Sequence, residues 1–471
     1  MPVDDRKPFV FTIPLVVKID LQLLPLFCLF YLLSSLDRSS TEFSNISGLT
    51  TDLNIKNTQA QWAVAIYYFC VIIFDLPSNI ILRRWRPSFW FGFLIGAWGI
   101  ISVSVAACTD FNGLVIAQLL SSIFEAGFFP GAIYYLSYWY TRREFGKRMG
   151  IFWSCRCLAG GIGGLFAYGV SYISNTQIHV WQWTYIIQGA PCVALAVIAS
   201  WYLPDDPGCA SFLLKEEGAL IERKLEEDYL TLNYNDWSWD QVGSVFLDLK
   251  TYAYIILYLL GAACVQGVAL FLPIVITELD SKPTSLQSQL LLLPPYLLAT
   301  IATLALSYSS DRMYNRSYHI VFADVVAIIS AIVLLVLPST ASFHMGHYVI
   351  TSILVAAIYA HIAIIITWMV NNFIGFTRRT IAIGTAVSIG SVGGAAGSQL
   401  FNDATSYTYG KSVIIVLLAI QILFVLFMRR CFVKETSRRS KLNADDRQYQ
   451  IYKFGGIDLV HDRHPDFEYT L

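Results

Sequence analysis

Twelve stretches of about twenty mostly apolar residues recur along this chain, and no other feature constrains its fold as strongly. A helix rising 1.5 Å per residue needs about 20 such residues to cross the hydrocarbon of a bilayer. The stretches lie near 21–43, 62–82, 89–108, 113–138, 149–173 and 183–203, then near 252–276, 289–309, 318–337, 347–373, 380–401 and 412–428. Lipid offers no hydrogen-bond partners, so each stretch must satisfy its own backbone, which only a helix does within one segment. Charged residues make up 14% of the 471 and hydrophobic ones 56%. That is too little charge to wet a soluble domain of this length, so the apolar excess faces lipid. The expected class is an all-α polytopic membrane protein. The first stretch has no basic n-region and no small-residue cleavage site, so it reads as a retained span rather than a signal peptide.

Basic residues set the expected orientation. With the amino terminus inside, the inner loops hold Arg83, Arg84, Arg86, Arg142, Arg143, Lys147, Arg148, Arg312, Arg316, Arg378 and Arg379. The outer loops hold Lys56, Lys282 and Lys411. Both termini are therefore expected in the cytoplasm, with the plasma membrane as the expected location. Asn45-Ile46-Ser47 is an outer glycosylation sequon close to a helix end, and Asn315-Arg316-Ser317 an inner, unused one.

Several function classes fall away. The net charge of −1 offers no electrostatic case for nucleic acid. The nine cysteines lie mostly inside apolar runs and read as small hydrophobes, with no metal site or disulfide framework. No metalloprotease, Walker, nucleophile-elbow or kinase motif is present, so neither an enzyme nor an ATP-driven pump is expected, and no cofactor. No channel filter is legible.

Six spans, a polar interval at 204–250 and six more spans suggest two bundles around a midplane site. The expected division is an amino-terminal bundle over 1–204, a cytoplasmic linker over 205–250, a second bundle over 251–430 and a cytoplasmic tail over 431–471. Gly160, Gly161, Gly163 and Gly164 in the fifth span echo Gly390, Gly393, Gly394 and Gly397 in the eleventh. Small residues there permit sliding or simply tight packing.

An ordered series of short motifs carries a resemblance. It runs from Leu36-Asp37-Arg38-Ser39 and Leu76-Pro77-Ser78-Asn79 to Glu125-Ala126-Gly127-Phe128-Phe129-Pro130-Gly131 and on to Trp139-Tyr140. Leu203-Pro204-Asp205, Pro294-Pro295-Tyr296, Ser310-Asp311-Arg312 and Asn372 follow. The chain resembles the allantoate permease family, the fungal anion:cation symporter branch of the major facilitator superfamily. The resemblance implies the major facilitator fold, twelve transmembrane helices in two six-helix halves, and import of a small organic anion with protons by alternating access. A uniporter, or a nutrient sensor that binds without transporting, is the alternative. The implied partners are a small organic anion, a proton and the bilayer, with no oligomer required. The chain departs from the family where substrate is expected. Ser40, Thr41, Glu42 and Phe43 replace its usual continuation, Gln118 stands where arginine is usual, and Arg156 where a small residue is usual.

A charge at the bilayer midplane costs roughly 2.5–3.5 kcal/mol on insertion scales, so each one needs a partner or a task. Glu125 in the fourth span is the candidate for proton coupling, or else one member of a fixed ion pair. Arg156, about nine residues into the fifth span, is the candidate anion clamp, or else the partner of Glu125. Gln118 shares a helix face with Glu125. Asp37 and Arg38 are adjacent and point about 100° apart, so one is expected toward the cavity and one toward a neighbouring helix. Tyr134, His361 and Asn372 complete the expected translocation set, His361 as a proton relay or a merely hydrogen-bonded side chain. Asp75, Arg83, Asp311, Arg312 and Arg316 are expected at inner helix ends, as gating groups that bond in one conformation only.

Overall fold

The computed structural model describes residues 14–43, 52, 57–173, 178–229, 237–278, 290–338, 343–401, 407–453 and 461–471. The sequon at Asn45 and the outer Lys56 and Lys282 lie outside these residues, as does the side chain of Glu42.

The first six spans are α1 (Leu15–Phe43), α2 (Asn57–Arg84), α3 (Pro87–Val105), the pair α4 (Phe111–Ala126) and α5 (Phe128–Ser137), α6 (Arg142–Ser171) and α7 (Val180–Tyr202). Two linker helices follow, α8 (Lys215–Tyr229) and α9 (Trp239–Phe246). The second six are α10 (Leu249–Glu278), α11 (Leu293–Met313), α12 (Ser317–Val336), α13 (His344–Asn372), α14 (Phe376–Gly397) and α15 (Tyr407–Ser440), with α16 (Ala444–Lys453) after them. Local chemistry sets several boundaries. Asp110 caps α4 by accepting from the Gly113 amide at 3.3 Å, and Thr141 and Glu144 form a capping box that starts α6. The fourth span breaks at Gly127. Pro130 cannot donate back to the Ala126 carbonyl, and the Gly127 backbone approaches the Ser78 side chain too closely for a Cβ.

Eleven of the twelve spanning helices are apolar enough to cross a membrane by composition alone. The remaining one, α11, is 21 residues long but carries Pro294, Pro295, Tyr296 and a stripe of hydroxyls. Thr300, Thr303, Ser307 and Ser310 on that stripe are buried. They face protein, because Ser307 packs against Gly150 and Tyr296 against Gly160 of α6. A polar stripe that meets a neighbouring helix pays no lipid penalty.

The packing repeats between halves. α3 pairs with α7 as α12 does with α15, α1 with α6 as α10 does with α14, and α2 with α4 as α11 does with α13. Across the halves, α6 meets α11 and α13, while α14 meets α2 and α5. The spans at the seam are therefore the glycine-rich fifth and eleventh with their partners. α13 and α14 are 83% and 72% buried and α15 only 28%, which places α15 at the lipid-facing rim.

The glycines of α14 act as close contacts. A Cβ on Gly393 or Gly397 would run into the carbonyls of Leu259 and Ala263 of α10. Gly393→Ala is expected to force the two helices apart and to cost about 1–3 kcal/mol. Thermal unfolding of the purified protein in detergent would register this as a lowered midpoint.

One end of the bundle carries the linker, the start of α1 and the chain's last residues; it is called the linker face below. Lys18 of α1 pairs with Glu217 of α8 at 2.5 Å, and that hydrogen bond holds the Glu217 carboxyl below its ordinary range. Asp228 of α8 accepts from the Arg142 amide at 2.7 Å. Arg84 lies over the rings of Trp237 and Trp239 at 5.4 and 5.3 Å. Residues 461–471 fold back onto the linker face, where Asp462, Phe467 and Thr470 are buried.

Candidate functional site

A cavity of about 610 Å³, open solvent included, lies between the halves. The first half contributes Tyr31 and Arg38 of α1, Tyr67, Tyr68 and Asp75 of α2, and Phe129, Trp153 and Arg156. The second half contributes Tyr258 and Gln266 of α10, Ile362 of α13, and Ser391 and Gly394 of α14.

The wall is aromatic and its polar groups are few. Tyr31 stacks against both Phe152 and Phe129, with ring centroids 4.5 and 5.3 Å away. Tyr67 and Tyr68 meet edge to face at 5.4 Å. Arg38 lies over the Tyr67 ring at 4.8 Å, and its Nε pairs with Glu125 Oε1 at 3.0 Å. Ser34 donates to the same carboxylate oxygen at 2.6 Å. Arg156 packs over Trp153 at 5.8 Å among the hydroxyls of Tyr31, Tyr359, Tyr68 and Tyr67. Among the described residues Arg156 has no carboxylate partner, so the alternative in which it pairs with Glu125 does not hold.

Asp37 and Arg38 diverge as adjacent helical residues must. Arg38 lines the cavity, while Asp37 turns to α3 and accepts from Trp98 Nε1 and Ser102 Oγ, both at 3.2 Å. Asp37 therefore ties α1 to α3 and does not face the cavity. Asp75 was expected at a helix end as a gating group; it instead lines the cavity, fully buried. Arg38, Arg156 and Asp75 thus line the cavity from a single half, with Glu125 paired to Arg38 beside it.

Other expected binding residues lie elsewhere. Gln118 is buried in α4 and is not among the residues lining the cavity. Tyr134 sits beside Thr380 and Arg379 at the seam between α5 and α14. His361 is fully buried in the second half and pairs through Nδ1 with Asp324 at 3.1 Å. Gln421 donates to the same carboxylate at 3.4 Å. Asn372 donates to the Tyr254 hydroxyl at 2.8 Å near the linker face. A residue's depth along a helix is legible from its number; the side of the helix facing the cavity is decided by packing.

At the linker face the halves are latched together. Asp311 pairs with Arg316 and accepts from the Lys147 amide of α6 at 2.6 Å. Asn371 donates to the Arg142 carbonyl at 3.1 Å, and Arg379 donates to the Ser137 carbonyl at 3.1 Å. Arg83 lies over Phe376 at 5.8 Å. Arg312 is exposed and takes no part in the latch. Sequence reasoning treated Arg142 and Arg379 as orientation signals only, although their matching places at the starts of the fifth and eleventh spans marked them as a pair. Asp324, a lone acid in an apolar span, carried a comparable signal for the buried partner of His361.

Asp311→Asn is expected to weaken this latch, because it leaves Arg316 buried without its counter-charge. The native Cys157, fully buried where α6 meets Thr303 of α11, would report the change. Its alkylation, followed by peptide mass mapping, should speed up about tenfold.

Two bundles closing over a central aromatic and charged cavity define a secondary transporter fold, with the site between repeats. The Major Facilitator Superfamily profile matches residues 27–398, and the chain belongs to that superfamily. It is 31% identical to the MFS-type transporter cnsO of Penicillium expansum, over 93% of this chain and 87% of that one. It is 28% identical to the high-affinity nicotinic acid transporter of Saccharomyces cerevisiae, over 96% and 84% of the two chains. Among solved structures, the proton:xylose symporter XylE superposes with a TM-score of 0.68 at 14% identity, covering 87% of this chain and 95% of that one. The likeness to XylE is one of fold alone.

Proposed function

We propose that this protein is a proton-coupled importer of a small planar organic anion, in the allantoate permease branch of its superfamily. The observation that carries this reading is Arg156: a guanidinium in the cavity, lined by aromatic rings and without a carboxylate partner among the described residues. A guanidinium grips a carboxylate through two parallel N–H bonds, and the tyrosine and tryptophan faces suit a flat ring. The resemblance to a nicotinic acid transporter supports the same substrate class.

In this reading Glu125 is the proton site. Ionised, it holds Arg38 at 3.0 Å. Protonated, it releases that guanidinium into the cavity, where a second cation strengthens anion binding. Proton and anion then enter together. The linker face is cytoplasmic, with both termini there, and the latched arrangement is the state closed to the cytoplasm. Residues 1–204 and 251–430 are the moving bundles, with the plasma membrane as the site of action. Asp311 and Arg316 keep their gating role, joined by Arg142, Asn371 and Arg379.

The test is uptake of labelled aromatic and aliphatic carboxylates by cells expressing the protein, at external pH 5 and 7.5, with and without a protonophore. Accumulation that is favoured at pH 5 and abolished by the protonophore is the expected result. Accumulation indifferent to both would replace symport by uniport. Saturable binding without uptake would replace transport by sensing.

A further inference from the structure

We infer that the mouth at the linker face is a binding site for an acidic, aromatic peptide segment, and that the chain's own residues 461–471 occupy it and lock the halves together. The recognition is built from side chains that reach backbone groups. Thr470 is gripped on both sides: its carbonyl accepts from Trp368 Nε1 at 2.7 Å and from Asn372 Nδ2 at 3.0 Å, while its amide donates to Asn372 Oδ1 at 2.8 Å. Arg439 donates to the carbonyls of Asp462, His464 and Phe467 at 2.9, 3.1 and 3.3 Å. Tyr469 stacks on Phe432 with centroids 4.7 Å apart and planes 11° from parallel.

Charge supplies the anchor. The fully buried Asp462 carboxylate sits between Lys250 and Arg378 and pairs with both. Asp248 is also bound to Arg378, at 3.0 Å. Thr470 and Phe467 are each only 1% exposed, which is deep burial for a segment this short.

The segment also bridges the halves. Most of its partners belong to the second half, but Arg142 of α6 donates to the Glu468 carbonyl at 3.2 Å and lies over the Phe467 ring at 4.9 Å. Arg142 is the residue whose carbonyl holds Asn371 of α13 in the latch. Opening this face parts α6 from α13, so the segment must let go of one half before the cavity can open there. A segment bound only to the closed state stabilises that state by its differential affinity.

The experiment places a cysteine at Thr470, whose hydroxyl makes no hydrogen bond among the described residues, in the 471-residue chain. Its modification by a membrane-impermeant maleimide is followed in membrane fragments open at both faces, against the parent chain as background. Thr470→Cys should be protected, reacting at least tenfold more slowly than a cysteine at the exposed Tyr452. Adding Asp462→Asn should raise its rate about tenfold. Tyr469→Ser, which spares the buried charges, should do the same if the first variant folds poorly. Rapid modification of Thr470→Cys alone would overturn the docking. Protection that neither variant relieves would overturn the anchoring by Asp462 and Tyr469. The lock is read separately, as initial uptake rate, and this arm rests on the transport reading above. Uptake should change at least twofold when the segment is released, and uptake that stays constant while modification rises would overturn the lock. The modification arm does not require transport, so the two readings fail independently.

Discussion

Arg156→Ala should lower the apparent affinity for a carboxylate substrate about a hundredfold, with folded protein at nearly the wild-type level. A hydrogen bond to a charged group contributes roughly 1.5–3 kcal/mol, and a bidentate guanidinium forms two. Losing both moves KM by about two orders of magnitude at 1.4 kcal/mol per decade. Arg156→Lys should recover only part of the loss, because an ammonium cannot present the planar fork. Fold integrity should survive, since no carboxylate among the described residues is left unpaired by the change. The measurement is concentration-dependent uptake alongside the yield of monodisperse protein after detergent extraction. Collapse of that yield with unchanged affinity in the remaining protein would reassign Arg156 to holding α6 in place.

Glu125→Gln should separate binding from coupling. Glutamine keeps an oxygen that can accept from Ser34, yet it cannot carry the charge that holds Arg38 at 3.0 Å. The variant resembles a transporter whose proton site is permanently neutral. Accumulation should fall to an inside-to-outside ratio of about one, and uptake should lose its preference for pH 5 over pH 7.5. Exchange of labelled for unlabelled substrate should persist, because exchange needs no net proton movement. An ion pair that only held α1 to α4 would give the opposite pattern: reduced yield with the pH preference intact. Asp75 is the carboxylate that lines the cavity itself, and a pH preference that survives in Glu125→Gln but is lost in Asp75→Asn would move the proton site there.

The fold was largely legible because its determinants are local. Span length follows from bilayer thickness and helical rise, and the helices from the absence of water in lipid. The least apolar span, α11, was still found, because a window of apolar residues tolerates a polar stripe that packs on protein. The site was legible only in part. Reading depth along a helix placed Arg156 near Glu125, and in the structure Arg38 joins that level by pairing with Glu125. It could not say that Arg38, rather than Arg156, takes Glu125. Two helix pairs of similar depth differ only in rotation, and rotation is set by contacts with third helices.

The same limit accounts for the other reassignments. Asp75 was read, with Arg83, as a helix-end residue, although the eight residues of helix between them span about 12 Å. Asp37 and His361 stood in the same expected translocation set as Arg38 and Arg156, and each finds a buried partner on a neighbouring helix instead. The polar carboxy-terminal segment offered no local signal of order. Its carboxylate, carbonyls and rings find partners only where α6, α10, α13, α14 and α15 converge.

The sequence by itself determined the membrane-spanning class, the span count, the two-bundle repeat and the set of intramembrane charges, because each follows from composition within one segment. The tertiary structure alone decided which charges pair, which face the cavity and where residues 461–471 dock, because those depend on helix rotation and on contacts between residues far apart in the chain.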